Sequence, residues 1–151
     1  MPTPADHLEL ARTESDGAAL CRMADTPYPF VRHALAANPH SPPAALLKLS
    51  ATRDCVWNDN MLLRLLAGHP RADRTVLRAV LAATARQLAD GERSYAAVLA
   101  LAERPELTVE EVAALGTLHG ASARLRGRLT RQLERRRTHA GTTSADEPIA
   151  R

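Results

Sequence analysis

Aromatic side chains are scarce in this chain of 151 residues, which contains only Tyr28, Phe30, Trp57 and Tyr95. A chain of this length forms about one domain with a modest core, and that core must be built from Leu, Ala and Val. Ala and Leu are strong helix formers, whereas the β-branched and aromatic strand formers are sparse. The composition therefore predicts an all-α protein.

Long apolar runs are also missing. No stretch approaches the roughly 20 apolar residues that a membrane-spanning helix needs, and the N-terminus lacks the basic start and apolar run of a signal peptide. Cys21 and Cys55 are isolated, without a partner pattern, and are expected to be buried thiols. We therefore expect a soluble, cytoplasmic protein with no membrane partner.

Signatures of catalysis and metal binding are equally absent from the sequence. It contains no nucleophile elbow, glycine-rich phosphate loop or P-loop. The histidines show no short spacing to one another or to cysteine of the kind found in metal sites; they are His7, His33, His40, His69, His119 and His139. We predict a non-catalytic protein without a cofactor or a metal.

An interrupted helical pattern recurs three times along the chain. Each copy has an apolar residue, then alanine, a proline three positions later, and apolar residues seven and ten positions beyond that proline. The copies are LAANPHSPPAALLKL at 35–49, LAGHPRADRTVLRAV at 66–80 and LAERPELTVEEVAAL at 101–115. The prolines are 31 and 35 residues apart, which is typical of helical repeats.

Each copy is predicted to be a helical hairpin. Pro39 lacks a backbone N–H and disfavours helical geometry at Asn38, so the first helix is expected to end there. The predicted N-caps of the second helices are Ser41 followed by Pro42, then Asp73, and Thr108 in a capping box with Glu111. Neither helix can bury its apolar stripe alone, so the hairpins must stack.

The predicted architecture is a short α-solenoid of three to four helical hairpins. Residues 1–26 are interpreted as a degenerate N-terminal capping repeat, because 7–25 retains Ala11, Leu20 and Met23 but lacks the proline. The helical-repeat domain is predicted over 27–120, a basic helix over 121–137 and a disordered tail over 138–151.

The stretch ADTPYPFVRHALAANPHSPPAALLKLSATRD (24–54) resembles the leucine-rich repeat variant family. The matching residues are Asp25, Val31, Arg32, Ala36, Asn38, Pro39, Ser41, Pro42, Pro43, Leu46 and Leu49. The match is looser at 58–84 and at 96–118. The resemblance implies a helical fold, related in shape to HEAT and armadillo solenoids. Some members carry an iron–sulfur cluster on a cysteine-rich segment, which two distant cysteines do not match.

Positive charge is concentrated in one segment. Residues 1–123 carry 12 basic and 14 acidic side chains, a net charge of −2, whereas residues 124–137 carry seven arginines and only Glu134, a net charge of +6. On a helix, three leucines form a docking stripe: Leu125, Leu129 and Leu133. Four arginines form a second stripe that is expected to face outward and bind an anionic partner: Arg124, Arg128, Arg131 and Arg135.

The segment DCVWNDN is the second candidate binding region. It holds the only tryptophan, Trp57, beside Asp59, and it is interpreted either as a binding edge or as a helix cap with a partly buried Trp57. An enzyme similar to the helical-repeat DNA glycosylases would need a catalytic carboxylate in an aromatic, basic groove. Only Trp57 with Asp54 or Asp59 begins to supply that arrangement.

The leading functional hypothesis is a helical-repeat scaffold or adaptor that binds an unidentified protein partner. The alternative is weak, salt-sensitive binding to duplex nucleic acid through the arginine stripe. The slightly acidic repeat body and the scarcity of aromatic side chains argue against single-stranded targets.

Overall fold

The computed structural model of the chain describes residues 1–143, and every regular element among them is helical. The all-α prediction is therefore confirmed for this part of the chain. The α-helices are α1 Pro4–Thr13, α2 Gly17–Met23, α3 Pro29–Ala37, α4 Pro43–Ser50, α5 Val56–Ala67, α6 Arg74–Ala89, α7 Tyr95–Ala102, α8 Val109–Ala113 and α9 Ala123–Thr143, with a 3₁₀ turn at Ala114–Thr117.

The helices form a two-layer stack of hairpins. In the odd layer α1 packs on α3, α3 on α5, α5 on α7 and α7 on α9; in the even layer α2 packs on α4 and α4 on α6. Each hairpin thus contacts its neighbours along the stack, as in helical-repeat proteins. Helix α9 takes the place that the first helix of a further hairpin would occupy.

The core lies between the two layers and is made of the predicted apolar columns. The residues before and after each proline turn are buried; they include Leu35, Leu46, Leu66, Leu77, Leu101 and Val112. Leucine and alanine dominate this cluster, so the helices pack closely without help from large rings. The exposed large side chains lie at helix starts and on outer faces.

Two of the three predicted helix caps are confirmed. The Asp73 carboxylate accepts a hydrogen bond from the Val76 N–H at 2.9 Å, and Thr108 forms the predicted capping box with Glu111. The Ser41 cap is wrong, because α4 begins at the second proline and Pro42 holds the N-cap position. The buried Ser41 hydroxyl instead donates to the Leu35 carbonyl at 2.6 Å and closes the end of α3.

Two glycines fix the path into the last helix. Gly91 has a φ of +86° and ends α6 in a Schellman motif, in which the Glu92 N–H binds the Gln87 carbonyl. Gly120 lies so close to this end that a Cβ there would stand 2.5 Å from the Glu92 carbonyl oxygen. The chain entering α9 is therefore held against the end of α6.

Helix α9 docks as predicted through Leu125, Leu129 and Leu133, which are all buried against α7 and α8. It continues through Thr143, beyond the predicted helix boundary at 137, so residues 138–143 of the predicted tail are helical. The remainder of that tail lies outside the described residues. Within residues 1–143, no helix is both long enough and apolar enough to cross a bilayer.

Candidate functional site

The arginine stripe lies on the outer face of α9. Because the leucine face is docked on the preceding repeat, the four stripe residues point into solvent; they are Arg124, Arg128, Arg131 and Arg135. None of their guanidinium groups forms a hydrogen bond or ion pair with another described residue. Over 11 residues the stripe is about 16 Å long, at 1.5 Å per helical residue. The structure thus places the four predicted residues on one exposed, unneutralised surface.

The other arginines of α9 are engaged with the protein. Arg136 donates to the Ala102 carbonyl at 3.2 Å and to the Leu107 carbonyl at 2.6 Å. Arg126 donates to the Ala121 carbonyl at 2.8 Å, and Arg137 forms an exposed ion pair with Glu110 at 3.8 Å. The basic segment therefore divides into arginines that hold the helix in place and arginines that are available to a partner.

An apolar furrow crosses the outer face of the odd layer. One depression, of about 450 Å³, lies between α1, α3 and α5 and is lined by Leu8, Phe30, Ala34, Ala37, Met61 and Leu65 among others. A second, of about 490 Å³, runs between α3, α5 and α7 and is lined by Ala37, Leu65, Ala96, Leu99 and Ala100 among others. The shared residues Ala37 and Leu65 join the two depressions into one surface, the alanine furrow. This furrow was not predicted from the sequence, although small residues on the solvent side of the first helix in consecutive hairpins could have indicated it.

Trp57 and Asp59, the residues of the second candidate binding region, differ in their exposure to solvent. Trp57 is 75% exposed, so the expectation of a partly buried ring is wrong. Asp59 is buried, and its carboxylate accepts a hydrogen bond from the Asp54 N–H at 2.8 Å. Asp59 therefore closes the start of α5, and Trp57 alone faces outward. Cys55, at the N-cap of the same helix, is exposed, contrary to the prediction of a buried thiol.

A second aromatic group was missed from the sequence. Tyr28 and Phe30 stack at the start of α3 with ring centroids 5.4 Å apart, and His7 of α1 lies 6.5 Å from the Tyr28 ring. Phe30 is 43% exposed and also lines the alanine furrow. The exposed rings of Phe30 and Trp57 thus both belong to the first turns of odd-layer helices.

A ladder of side-chain hydrogen bonds links successive turns. The residue that precedes each turn proline reaches back to the previous repeat: Asn38 donates to the Ala11 and Glu14 carbonyls, both at 2.9 Å. His69 bonds to the Asn38 carbonyl at 2.8 Å, and Arg104 donates to the carbonyls of His69 and Ala72, both at 2.9 Å. We call this arrangement the turn ladder. It satisfies carbonyl groups that the ends of helices leave unpaired.

The ladder fixes the protonation state of His69. Its Nε2 must donate, because the Asn38 carbonyl only accepts, and its Nδ1 must accept the Arg71 N–H at 3.0 Å. Burial lowers the pKa of His69 below its usual 6.5, and the nearby charges of Arg71 and Arg104 act in the same direction. His69 is therefore neutral, and both of its ring nitrogens are engaged in structural hydrogen bonds.

The described residues contain no group of three or more His, Cys, Asp or Glu side chains arranged to hold a metal ion. Comparisons of the chain with models of known protein families, with curated proteins and with solved structures find no match. The resemblance to the leucine-rich repeat variant family thus stays a prediction that depends on the residues themselves.

Proposed function

We propose that the protein is a non-catalytic helical-repeat adaptor, similar to the leucine-rich repeat variants, that binds another protein. The observation that carries this proposal is the uncovered alanine furrow with the exposed Phe30 ring at its edge. Extended apolar surface is uncommon on a protein that acts alone, and it typically marks a site of association. The repeat stack supplies a rigid platform beneath it.

The titratable groups of the described residues support a binding role. The pKa of Glu111 is lowered to about 2 because the Thr108 N–H and the Arg78 guanidinium bind its carboxylate. The pKa of Asp6 is lowered by a hydrogen bond from the Thr3 N–H, and the pKa of Asp54 by a hydrogen bond from the Asn58 side chain. These shifts arise from hydrogen bonds and an ion pair that keep the carboxylates ionised near helix starts, whereas a catalytic group is tuned toward the pH at which it works.

The test of the adaptor proposal is affinity capture with a variant that fills the furrow. In A37Q/A96Q, two exposed alanines of the furrow gain bulk without charge. The matched control, A82Q/A89Q, changes two exposed alanines of α6 in the even layer. We expect a protein from the source organism to be retained by the native chain and the control, and to be depleted about tenfold by the furrow variant. Equal recovery on all three baits contradicts the proposal.

Duplex nucleic acid is a second candidate partner, favoured by the four unpaired arginines of the stripe. If each contacts one phosphate, the slope of log K against log salt is about −3 to −4, from roughly −0.9 per contact. Fluorescence anisotropy of a labelled duplex at several salt concentrations measures this slope. Changing all four arginines to alanine should abolish binding, and a native chain that fails to bind at low salt removes this candidate.

A further inference from the structure

We propose that the alanine furrow and the arginine stripe form one continuous site for an acidic, apolar peptide segment of a protein partner. This inference rests on the proposed adaptor function and specifies its partner. The segment would place apolar side chains in the furrow and Asp or Glu carboxylates on the stripe.

Continuity between the two surfaces follows from one contact. The Gln132 side-chain amide of α9 donates to the Leu99 carbonyl of α7 at 3.3 Å. Leu99 lines the furrow, while Gln132 lies in the same depression as Arg128, Arg131 and Arg135. A chain that follows the furrow across α3, α5 and α7 therefore arrives at three guanidinium groups.

The charges along this face favour carboxylates. Arg12 and Arg64 border the furrow, and neither has a side-chain hydrogen bond or ion pair with another described residue. Two acidic side chains line the same surface: Glu103 beside the furrow and Glu134 beside the stripe. This face is thus positively charged although residues 1–123 carry a net charge of −2, and an acidic segment complements it.

The furrow distinguishes a peptide from a duplex. Alanines line it beside larger apolar side chains, and their small size leaves room for the apolar side chains of a helix or an extended segment. A duplex presents phosphates and sugars to the surfaces that it meets, so it would contact the stripe and leave the furrow empty. A peptide with both apolar and acidic residues uses both parts of the site.

The experiment is a selection of peptides from a random display library on the full chain, followed by affinity measurements on the enriched sequences. We expect a consensus that combines Leu, Ile, Met or Phe with Asp or Glu. The enriched peptide should bind about tenfold more weakly to A37Q/A96Q and to R128Q/R135Q. The control R86Q/R93Q removes the same charge from two exposed arginines outside this face and should bind like the native chain.

Four results would overturn the inference. The first three are a consensus without carboxylates, an enriched peptide whose affinity is unchanged in the furrow and stripe variants, and a selection that enriches no sequence. Displacement of the enriched peptide by duplex DNA without any effect of A37Q/A96Q would also overturn it, because it assigns the stripe to nucleic acid. Each of these outcomes leaves the adaptor proposal to its own test, since capture of a partner by the full chain does not depend on this peptide chemistry.

Discussion

Arg135 and Arg136 are neighbours in the sequence, yet they belong to two different regions of the molecule. Arg135 lies on the outer face of α9, and its guanidinium has no hydrogen bond or ion pair with the described residues, whereas Arg136 is half-buried and its guanidinium binds two carbonyls of the preceding repeat. The difference shows that charge composition alone does not reveal the role of an arginine. What decides it is whether the guanidinium reaches a helix end that lacks hydrogen-bond partners.

The register of the repeats separates these two groups of arginines. The residues of the turn ladder are Asn38, His69 and Arg104, and Arg136 follows Arg104 by 32 residues, close to the earlier spacings of 31 and 35. Arg136 thus occupies the next step of the ladder, although no proline follows it. In a basic segment that continues a repeat, the position of each arginine relative to the repeat therefore distinguishes structural arginines from those available to a partner.

The largest expected difference in stability is between the alanine variants of Arg104 and Arg128. Arg104→Ala removes donors from the His69 and Ala72 carbonyls, and we expect the free energy of unfolding to fall by about 2–4 kcal/mol. Arg128→Ala removes no side-chain hydrogen bond or ion pair within the described residues and should change the free energy of unfolding by less than about 0.5 kcal/mol. Urea unfolding followed by circular dichroism measures both, and similar midpoints for the two variants would contradict the division.

A sharper form of the comparison uses the adjacent pair. Arg136→Ala should lower the free energy of unfolding by about 1–3 kcal/mol, because the Ala102 and Leu107 carbonyls lose their donors. Arg135→Ala should leave it within about 0.5 kcal/mol of the native chain. The same urea titration applies, and a loss of stability confined to Arg135→Ala would reverse the assignment.

The ladder also predicts a pH dependence. Because burial lowers the pKa of His69 in the folded protein, the unfolded chain binds this proton more tightly. The stabilising contribution of neutral His69 is therefore fully present above the usual pKa of 6.5 and is lost as the pH falls below it.

Urea titrations from about pH 7.5 to about pH 5 should show this loss in the native chain. His69→Gln keeps a donor and an acceptor without a titrating proton, so the pH dependence should be smaller in this variant at any given baseline stability. The difference between the two curves isolates His69 from the other histidines. Parallel curves would show that His69 is not the sensitive group.

The smallest expected effect concerns the stripe itself. Gly127 lies between two stripe arginines, and a Cβ there would meet nothing within 4 Å. Gly127→Ala should stabilise α9 by about 0.5–1 kcal/mol, with no change in the contacts of the helix. A small upward shift in the urea midpoint is the expected result, and destabilisation would indicate an unrecognised need for glycine at this position.

The sequence predicted the hairpins and most of their caps because these features depend on local chemistry. Asp73 and Thr108 sit immediately before helical segments and bind their own backbone, as the pattern implied. The prediction of Ser41 as an N-cap was wrong because two prolines follow it. Helix α4 starts one residue later, and the Ser41 hydroxyl donates to the Leu35 carbonyl instead. The choice between these two backbone partners depends on the folded turn.

The exposure of Trp57 could not be read from its apolar character. Helix α5 begins at Val56, 13 residues before its ladder residue His69, whereas α3 and α7 begin 9 residues before theirs. The first turn of α5 therefore extends further from the turn ladder than those of its two neighbours, and Trp57 in that turn is largely exposed. The arginine stripe was easier to predict, since the alternation of leucine and arginine within one helix already defines its two faces.

The hydrogen bonds of the turn ladder all run in one direction along the chain. Every side-chain donor in it binds carbonyls that come earlier in the sequence, from Asn38 with Ala11 and Glu14 to Arg136 with Ala102 and Leu107. During synthesis, each new repeat thus leaves the ribosome after its acceptors have been made. The stack can therefore be assembled in the order of translation, because each hairpin needs only the preceding hairpin to complete its ladder hydrogen bonds.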